Sequence, residues 1–355
     1  MRNSHLSPAI LAALAAAVLF GASTPFAKVL LGNTSPILLA GLLYLGSGVG
    51  LGLIRLLRDR GWRRPHLPAS EWPWLLAAIG FGGVLGPVLL MLGLTRTSAA
   101  SASLLLNLEA VLTAVLAWVA FRENADRRIV LGMALIVAGS VILAWPHSSQ
   151  SMAAGSGALL IVGACLCWAL DNNFTRMVSA SDALFIAGLK GLTAGVANTL
   201  LALVLGATLP AISMISEAML VGLVGYGASL VLFVLALREL GAARTGAYFS
   251  TAPFIGALIA IVGFGEPTSL VFWLAATLMA GGVWLHLTER HEHMHTHEPI
   301  THTHRHVHDE HHQHTHDADW DGKEPHAHRH THEPLTHSHP HYPDIHHRHG
   351  HSRPQ

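Results

Sequence analysis

Apolar residues in this chain run unbroken for about twenty positions at a time, instead of alternating with polar ones at a helical or strand period. Ten such runs can be marked, at 8–31, 36–57, 72–94, 98–120, 128–146, 155–175, 183–205, 215–237, 245–264 and 268–287. A helix needs about 20 apolar residues to cross a bilayer. Backbone groups in lipid must be satisfied internally, so the runs predict ten membrane-spanning helices. The period-two alternation of a membrane barrel is absent. The first run is longer than the apolar stretch of a signal peptide and no small-residue cleavage site closes it, so it reads as a span. Gly and Ala are frequent inside the runs, where small residues let membrane helices approach closely.

The links between the runs set the orientation. Arg2, Arg55, Arg58, Arg60, Arg63, Arg64, Arg122, Arg127, Arg128, Arg176, Arg238 and Arg244 fall on one side of a ten-span chain, and Arg96 lies on the other. Basic links mark the cytoplasmic face, so both termini are expected in the cytoplasm, across a bacterial plasma (inner) membrane.

The chain also repeats itself. Residues 92–144 align with 235–287 at a constant offset of 143, matching Glu123 with Glu266, Gly139 with Gly282, and Ala99-Ala100 with Ala242-Ala243. Earlier, Phe26 and Lys28 fall on Phe174 and Arg176, and Gly48-Val49 on Gly195-Val196. Each half then holds five spans, and an odd number inverts the second copy, as in many secondary transporters. The expected organisation is an all-α membrane protein of ten helices in two inverted repeats, 1–147 and 148–288, followed by a tail from 289 to 355.

Only 12% of the chain is charged, against about 25% in soluble domains. No basic excess points to nucleic acid. No phosphate loop is present, so neither ATP-driven transport nor enzyme activity is expected. Cys165 and Cys167 sit inside an apolar run and read as packing residues.

Charges inside a bilayer are costly and face a cavity or a partner. Glu109 is the clearest case, at the middle of the fourth run, where it suits a cation or an exchanging proton. Asn107 reads as a helix-to-helix hydrogen bond. The sixth run carries Asp171, Asn172 and Asn173, which either face a cavity or mark the cytoplasmic end of the helix. Lys190 lies inside the seventh run and can pair with Glu109 or with Asp171. Lys28 reads as snorkelling outward. Glu123 and Glu266 stand at helix ends and read as caps or locks. Trp62, Trp72, Trp74, Trp145, Trp273 and Trp284 fit interfacial belts.

The tail holds 23 of the 27 histidines. They are His291, His293, His295, His297, His302, His304, His306, His308, His311, His312, His314 and His316, then His326, His328, His330, His332, His337, His339, His341, His346, His347, His349 and His351. "HTHEPITHTH" at 295–304 recurs as "HTHEPLTHSH" at 330–339, an offset of 35. Alternate residues of an extended chain share a face, so His-x-His spacing lets successive imidazoles bind one ion. Apolar residues are scarce, so a disordered tail is expected in the absence of metal. Imidazole suits Ni²⁺, Co²⁺, Zn²⁺ and Cu²⁺. A solvated tail without a role and a proton-sensitive tail are the other readings.

The segment from Leu94 to Trp145, with its small-residue start, its apolar run ending in "FREN" and its "LGMALIVAGS", resembles the signature half of EamA-type transporters of the drug/metabolite transporter superfamily. "LRELGAARTGAYFSTAPFIGALIAIVGFGEPTSLVFWLAATLMAGGVWL" is similar to it as the second copy. Where that family often carries proline, as Pro253 does in the second copy, Ala110 stands here, preceded by Glu109. The resemblance implies alternating access with substrate bound near the midplane between the repeats. The tail is similar to those of nickel and cobalt resistance members. The leading expectation is therefore a secondary exporter of a divalent metal, nickel or cobalt first, using the tail as collector and requiring no cofactor. The alternatives are an exporter of a small polar solute whose tail buffers or senses metal, and a membrane-anchored metal store. The lipid bilayer is the expected partner, and a homodimer is left open.

Overall fold

The computed structural model describes residues 7–61, 67–121, 127–145, 152–179 and 181–288, and four tail segments, 292–297, 301–306, 326–331 and 335–340. Among the described residues ten helices are long and apolar enough to cross a membrane. We number them as spans 1 to 10: Pro8–Leu30, Pro36–Arg58, Ala69–Leu94, Ala99–Leu116, Arg127–Ala144, Gly155–Val178, Ala183–Val204, Ile212–Leu240, Thr245–Gly263 and Leu270–Leu287. The protein is a multi-pass membrane protein. Many large apolar side chains on its outer surface are exposed, among them Leu57, Val204 and Leu270, as lipid-facing positions must be.

Helix starts follow local chemistry. The side chains of Ser7, Ser98, Asp182 and Ser269 accept backbone N–H bonds at the starts of spans 1, 4, 7 and 10, satisfying donors that the first turn leaves unpaired. Gly206 and Gly265, both at positive φ, follow spans 7 and 9, where glycine tolerates the left-handed turn that ends a helix. Burial opposes ionisation of Asp182, but the guanidinium of Arg58, the Leu184 N–H and Arg55 outweigh it and hold this carboxyl below the usual carboxylate range.

The packing has two-fold pseudo-symmetry. Span 1 packs on spans 8 and 9, and its repeat mate, span 6, packs on spans 3 and 4. Spans 2 and 7 pack on each other, as do spans 5 and 10. The first of these seams depends on glycine: a Cβ on Gly191 would lie 2.6 Å from the Gly48 nitrogen, and one on Gly48 would lie 2.1 Å from the Leu192 nitrogen. Helix association in lipid rests on such close approach, since burial from water contributes little there.

A carboxylate cap is among the polar contacts between the repeats. The Glu266 carboxylate accepts the backbone N–H bonds of Ala99 and Ala100, at 2.9 and 2.8 Å, and so caps span 4 from the other repeat. Glu123 lies outside the described residues. Lys28 donates to the carbonyls of Leu94 and Thr97. It does not snorkel outward as its sequence position suggests, because the unpaired carbonyls ending span 3 are within its reach and favour a cation.

The tail segments are β1 (Glu292–His297), β2 (Thr301–His306), β3 (His326–Thr331) and β4 (Leu335–Pro340). β1 pairs antiparallel with β4, and β2 with β3. An isolated two-stranded ladder is marginal in water, so these segments add no third core, in keeping with the apolar-poor sequence.

We expect Gly191→Val to cost about 1–3 kcal/mol through overpacking, read as a lower thermal midpoint of the detergent-solubilised protein. Gly52→Val, with nothing within 4 Å of its Cβ, serves as a neutral control. Asp182 has a folded-state pKa below its unfolded one, so its charge stabilises the fold above about pH 4 and that contribution fades as pH falls through the folded value. Asp182→Asn keeps the cap, so its lower thermal midpoint at neutral pH should converge on wild type in acid.

Candidate functional site

Among the described residues three spans carry π-helical segments, Ile259–Gly263 of span 9 being one, and the other two stand at the same place in the repeat. Residues Ile79–Leu85 of span 3 and Gly222–Ala228 of span 8 stand at the offset of 143. A π segment shifts the hydrogen-bond ladder and frees carbonyls. The Gly82 carbonyl accepts from Tyr44 Oη at 2.8 Å and from Trp168 Nε1 at 3.0 Å, and the Gly83 carbonyl accepts from Asn198 Nδ2 at 3.2 Å. Span 4 breaks at Leu106, between helical segments Ala99–Leu105 and Asn107–Phe121. Span 9 breaks at Ser250 and Thr251, just beyond Phe249, the offset equivalent of Leu106.

The π segment of span 8, through Tyr226, and Phe249 beside the break in span 9 line a central cavity with about 570 Å³ of non-atom space, its opening included. Irregular backbone at membrane depth is tolerated where it lines such a space. The cavity draws on spans 1, 2, 4, 6, 7, 8 and 9, and spans 3, 5 and 10 contribute no lining residue.

Its walls are aromatic. Tyr44 and Tyr226 have ring centroids 5.3 Å apart, Phe20 meets Tyr226 and Trp168 edge-on at 5.8 Å, and Phe249 lies 5.3 Å from Phe20 and 4.9 Å from Phe233. Three charged side chains and one amide enter this wall, beside Ser47 and Ser229. Asp171 and Lys190 form a buried ion pair, and Thr175 Oγ1 donates to Asp171 Oδ1 at 2.9 Å. Glu109 Oε1 accepts from Asn172 Nδ2 at 2.8 Å.

The sequence left Lys190 between two carboxylates, and the structure assigns it to Asp171. Among the described residues no cationic side chain forms a salt bridge with Glu109. Asp171 is not at a helix end, since span 6 continues to Val178 and this carboxylate is 6% exposed. Asn172 faces the cavity, whereas Asn173 donates to Ala169 O of its own helix at 2.8 Å and stays out of it. Asn107 likewise donates to Leu104 O at 3.0 Å, with Met279 Sδ at 3.9 Å. Gly82 is required where Asp171 sits, because a Cβ there would lie 1.9 Å from Asp171 Oδ2.

The aromatic lining escaped the sequence reading. Single Phe, Tyr and Trp residues inside apolar runs look like ordinary packing, and only the repeat could have flagged Phe20 and Trp168, which fall on each other when the halves are aligned. Of the tail histidines, His293, His295, His297, His302, His304, His306, His326, His328, His330, His337 and His339 lie in the four strands, and the other twelve lie outside the described residues.

Ten spans in two inverted copies, with an aromatic-walled cavity between them, define a membrane carrier. The EamA-like transporter family model matches residues 7–145 and 155–288, and the chain belongs to this family. It is 28% identical over 288 residues to an uncharacterized transporter of Methanothermobacter thermautotrophicus, covering 77% of this chain and 84% of that protein. It is 23% identical over 276 residues to the uncharacterized transporter YyaM of Bacillus subtilis, covering 74% and 88%. A 90-residue stretch, 25% of this chain, is 41% identical to 73% of a probable 4-amino-4-deoxy-L-arabinose-phosphoundecaprenol flippase subunit, ArnE, of Pseudomonas aeruginosa. A solved crystal structure aligns at TM-score 0.61 and 19% identity over 80% of this chain and 99% of its own, a likeness of fold alone.

The ion pair carries a test. Lys190→Met leaves a buried carboxylate without its partner, a change that costs about 3–5 kcal/mol. We expect a matching fall in thermal midpoint, with most of it recovered when Asp171→Asn is added. A single variant as stable as wild type would mean that water reaches the pair.

Proposed function

We propose that this transporter exchanges protons for a small organic cation, an amine or quaternary ammonium with an apolar body, at Glu109. The observation that carries the reading is a carboxylate inside an aromatic cavity that forms no salt bridge among the described residues. In a low-dielectric site such a carboxylate calls for a counter-charge, and a proton and a cationic solute can supply it in turn. Aromatic faces attract cations by about 0.5–2 kcal/mol each when desolvated, so the rings recognise the same charge that Glu109 neutralises. Asp171 and Lys190 neutralise each other and hold spans 6 and 7 together beside the site. The direction we propose is outward, with both termini cytoplasmic on the distribution of basic links.

A second reading keeps the cavity and changes the cargo to Ni²⁺ or Co²⁺. The His-rich tail favours it, as a cytoplasmic collector beside the carrier. Against it, no group of three or more His, Cys, Asp or Glu side chains that could hold a metal occurs among the described residues. Glu109 and the Asn172 amide would then have to share the ion with water.

The test is transport by purified protein in liposomes under an imposed pH gradient, with benzyltrimethylammonium as probe and Ni²⁺ in parallel. We expect gradient-driven accumulation of the ammonium and none of the metal, with Glu109→Gln at background. Accumulation of Ni²⁺ alone would select the second reading. Wild-type rates in Glu109→Gln would overturn both.

A further inference from the structure

The two ends of the carrier are packed differently. On the side away from the chain termini, spans 1, 4 and 9 close at backbone distance. A Cβ on Gly256 of span 9 would lie 2.6 Å from Ser103 Oγ of span 4 and 2.7 Å from the Gly21 carbonyl oxygen of span 1. A Cβ on Gly21 would in turn meet the Ala252 carbonyl oxygen. Leu104 of span 4 and Ala257 of span 9 are buried at the same level. The Glu266 carboxylate holds the start of span 4 across the repeats.

The repeat puts an equivalent set on the termini side. Ser103 falls on Gly246 and Gly256 on Thr113 at the offset of 143. Gly21 falls on Ala169 at the offset of 148 that aligns Phe26 with Phe174. This second set is not closed. A Cβ on Gly246 meets nothing within 4 Å among the described residues. Ala247 and Ala114, the equivalents of Leu104 and Ala257, are only half-buried. Lys190, Phe233 and Phe249 of the cavity wall lie in the termini-side halves of their spans.

The described conformation is therefore sealed on the far side and open toward the termini. Inverted repeats exchange such arrangements when one repeat rocks against the other. Residue size fits the exchange. At each crossing of spans 4 and 9 one partner is glycine, Gly256 against Ser103 on the far side and Gly246 against Thr113 on the near side. The glycine changes spans, but each crossing keeps one, which close approach of membrane helices needs. Thr113 also lies one turn beyond Glu109, with Oγ1 3.5 Å from Asn172 Nδ2. Closure onto Thr113 therefore bears on the amide that donates to Glu109.

We propose that Gly246 is the gate residue of the termini side. In the opposite conformation it packs onto Thr113 beside Ala169, as Ser103 packs onto Gly256 beside Gly21 here, and Glu266 releases span 4. The gate rests on the protein being a carrier and on neither proposed cargo.

The test is oxidation by diamide of the full-length protein carrying Thr113→Cys and Gly246→Cys, with Cys165→Ala and Cys167→Ala to remove competing thiols. In the closed far set a Cβ on Gly256 would lie 3.1 Å from Ser103 Cβ. An equivalent closure brings the engineered pair within reach of a disulfide, whose Cβ atoms are about 3.5–4.5 Å apart. Peptide mass spectrometry follows the rate of bond formation. We expect the disulfide to form, and to form about threefold faster or more when Glu266→Ala removes the far-side cap. Glu266→Gln, which keeps the bulk and loses the charge, should give a smaller rise and serves where Glu266→Ala fails to fold. A single cooperative thermal transition in the reduced variants separates gating from unfolding. A pair that stays reduced, or one whose oxidation rate ignores both substitutions at Glu266, would overturn the proposal. No cargo is added, so this failure is distinct from failure of the transport reading at Glu109.

Discussion

A lysine and an aspartate in hydrocarbon must neutralise each other, and in this protein that requirement organises the centre of the molecule. Lys190 on span 7 and Asp171 on span 6 are both nearly sealed from solvent and bonded to each other. The pair dictates the neighbouring sequence. Gly82 has no side chain because Asp171 occupies the space, and Thr175 supplies a further donor. It also decides which charge remains for function. With Lys190 committed, Glu109 is bonded among the described residues to the Asn172 amide, at 2.8 Å.

The two halves share architecture and divide chemistry. The π segments of spans 3 and 8 fall at equivalent positions, and the packing of the halves follows one pseudo-two-fold arrangement. The charges do not follow it. Glu109 aligns with Ala252, Asp171 with Ser23 and Lys190 with Leu43. A symmetric scaffold can present the cavity to either side of the membrane, as inverted repeats do in alternating access. On the proposed reading, an asymmetric set of charges gives that cavity one cation site. The freed carbonyl at Gly82 holds Tyr44 and Trp168 in the cavity wall, so the backbone irregularity and the aromatic lining are one construction.

Much of this was legible in the sequence because hydrocarbon imposes a simple code. The uninterrupted apolar runs locate all ten spans to within a few residues, and the 143-residue offset anticipates the paired π segments without identifying them. Glu109 stood out as a charge in the middle of a run. The partner of Lys190 did not, since spacing along the chain cannot say which helices meet, and Asp171 lies on a different span. The aromatic wall was hidden for the same reason. The π segments were hidden because their glycines look like those of any close helix seam. Lys28 looked like a surface anchor, and only the position of the span 3 terminus reveals its carbonyl partners.

The central claim is that Glu109 alone exchanges its counter-charge while Asp171 and Lys190 stay paired. Proton release on ligand binding tests it most directly. Purified protein in weakly buffered detergent solution receives benzyltrimethylammonium while a dye records pH. The account expects a proton to be released by wild type and by the Asp171→Asn, Lys190→Met double variant, and none by Glu109→Gln. Release that persists in Glu109→Gln, or that disappears only when the ion pair is removed, would contradict it.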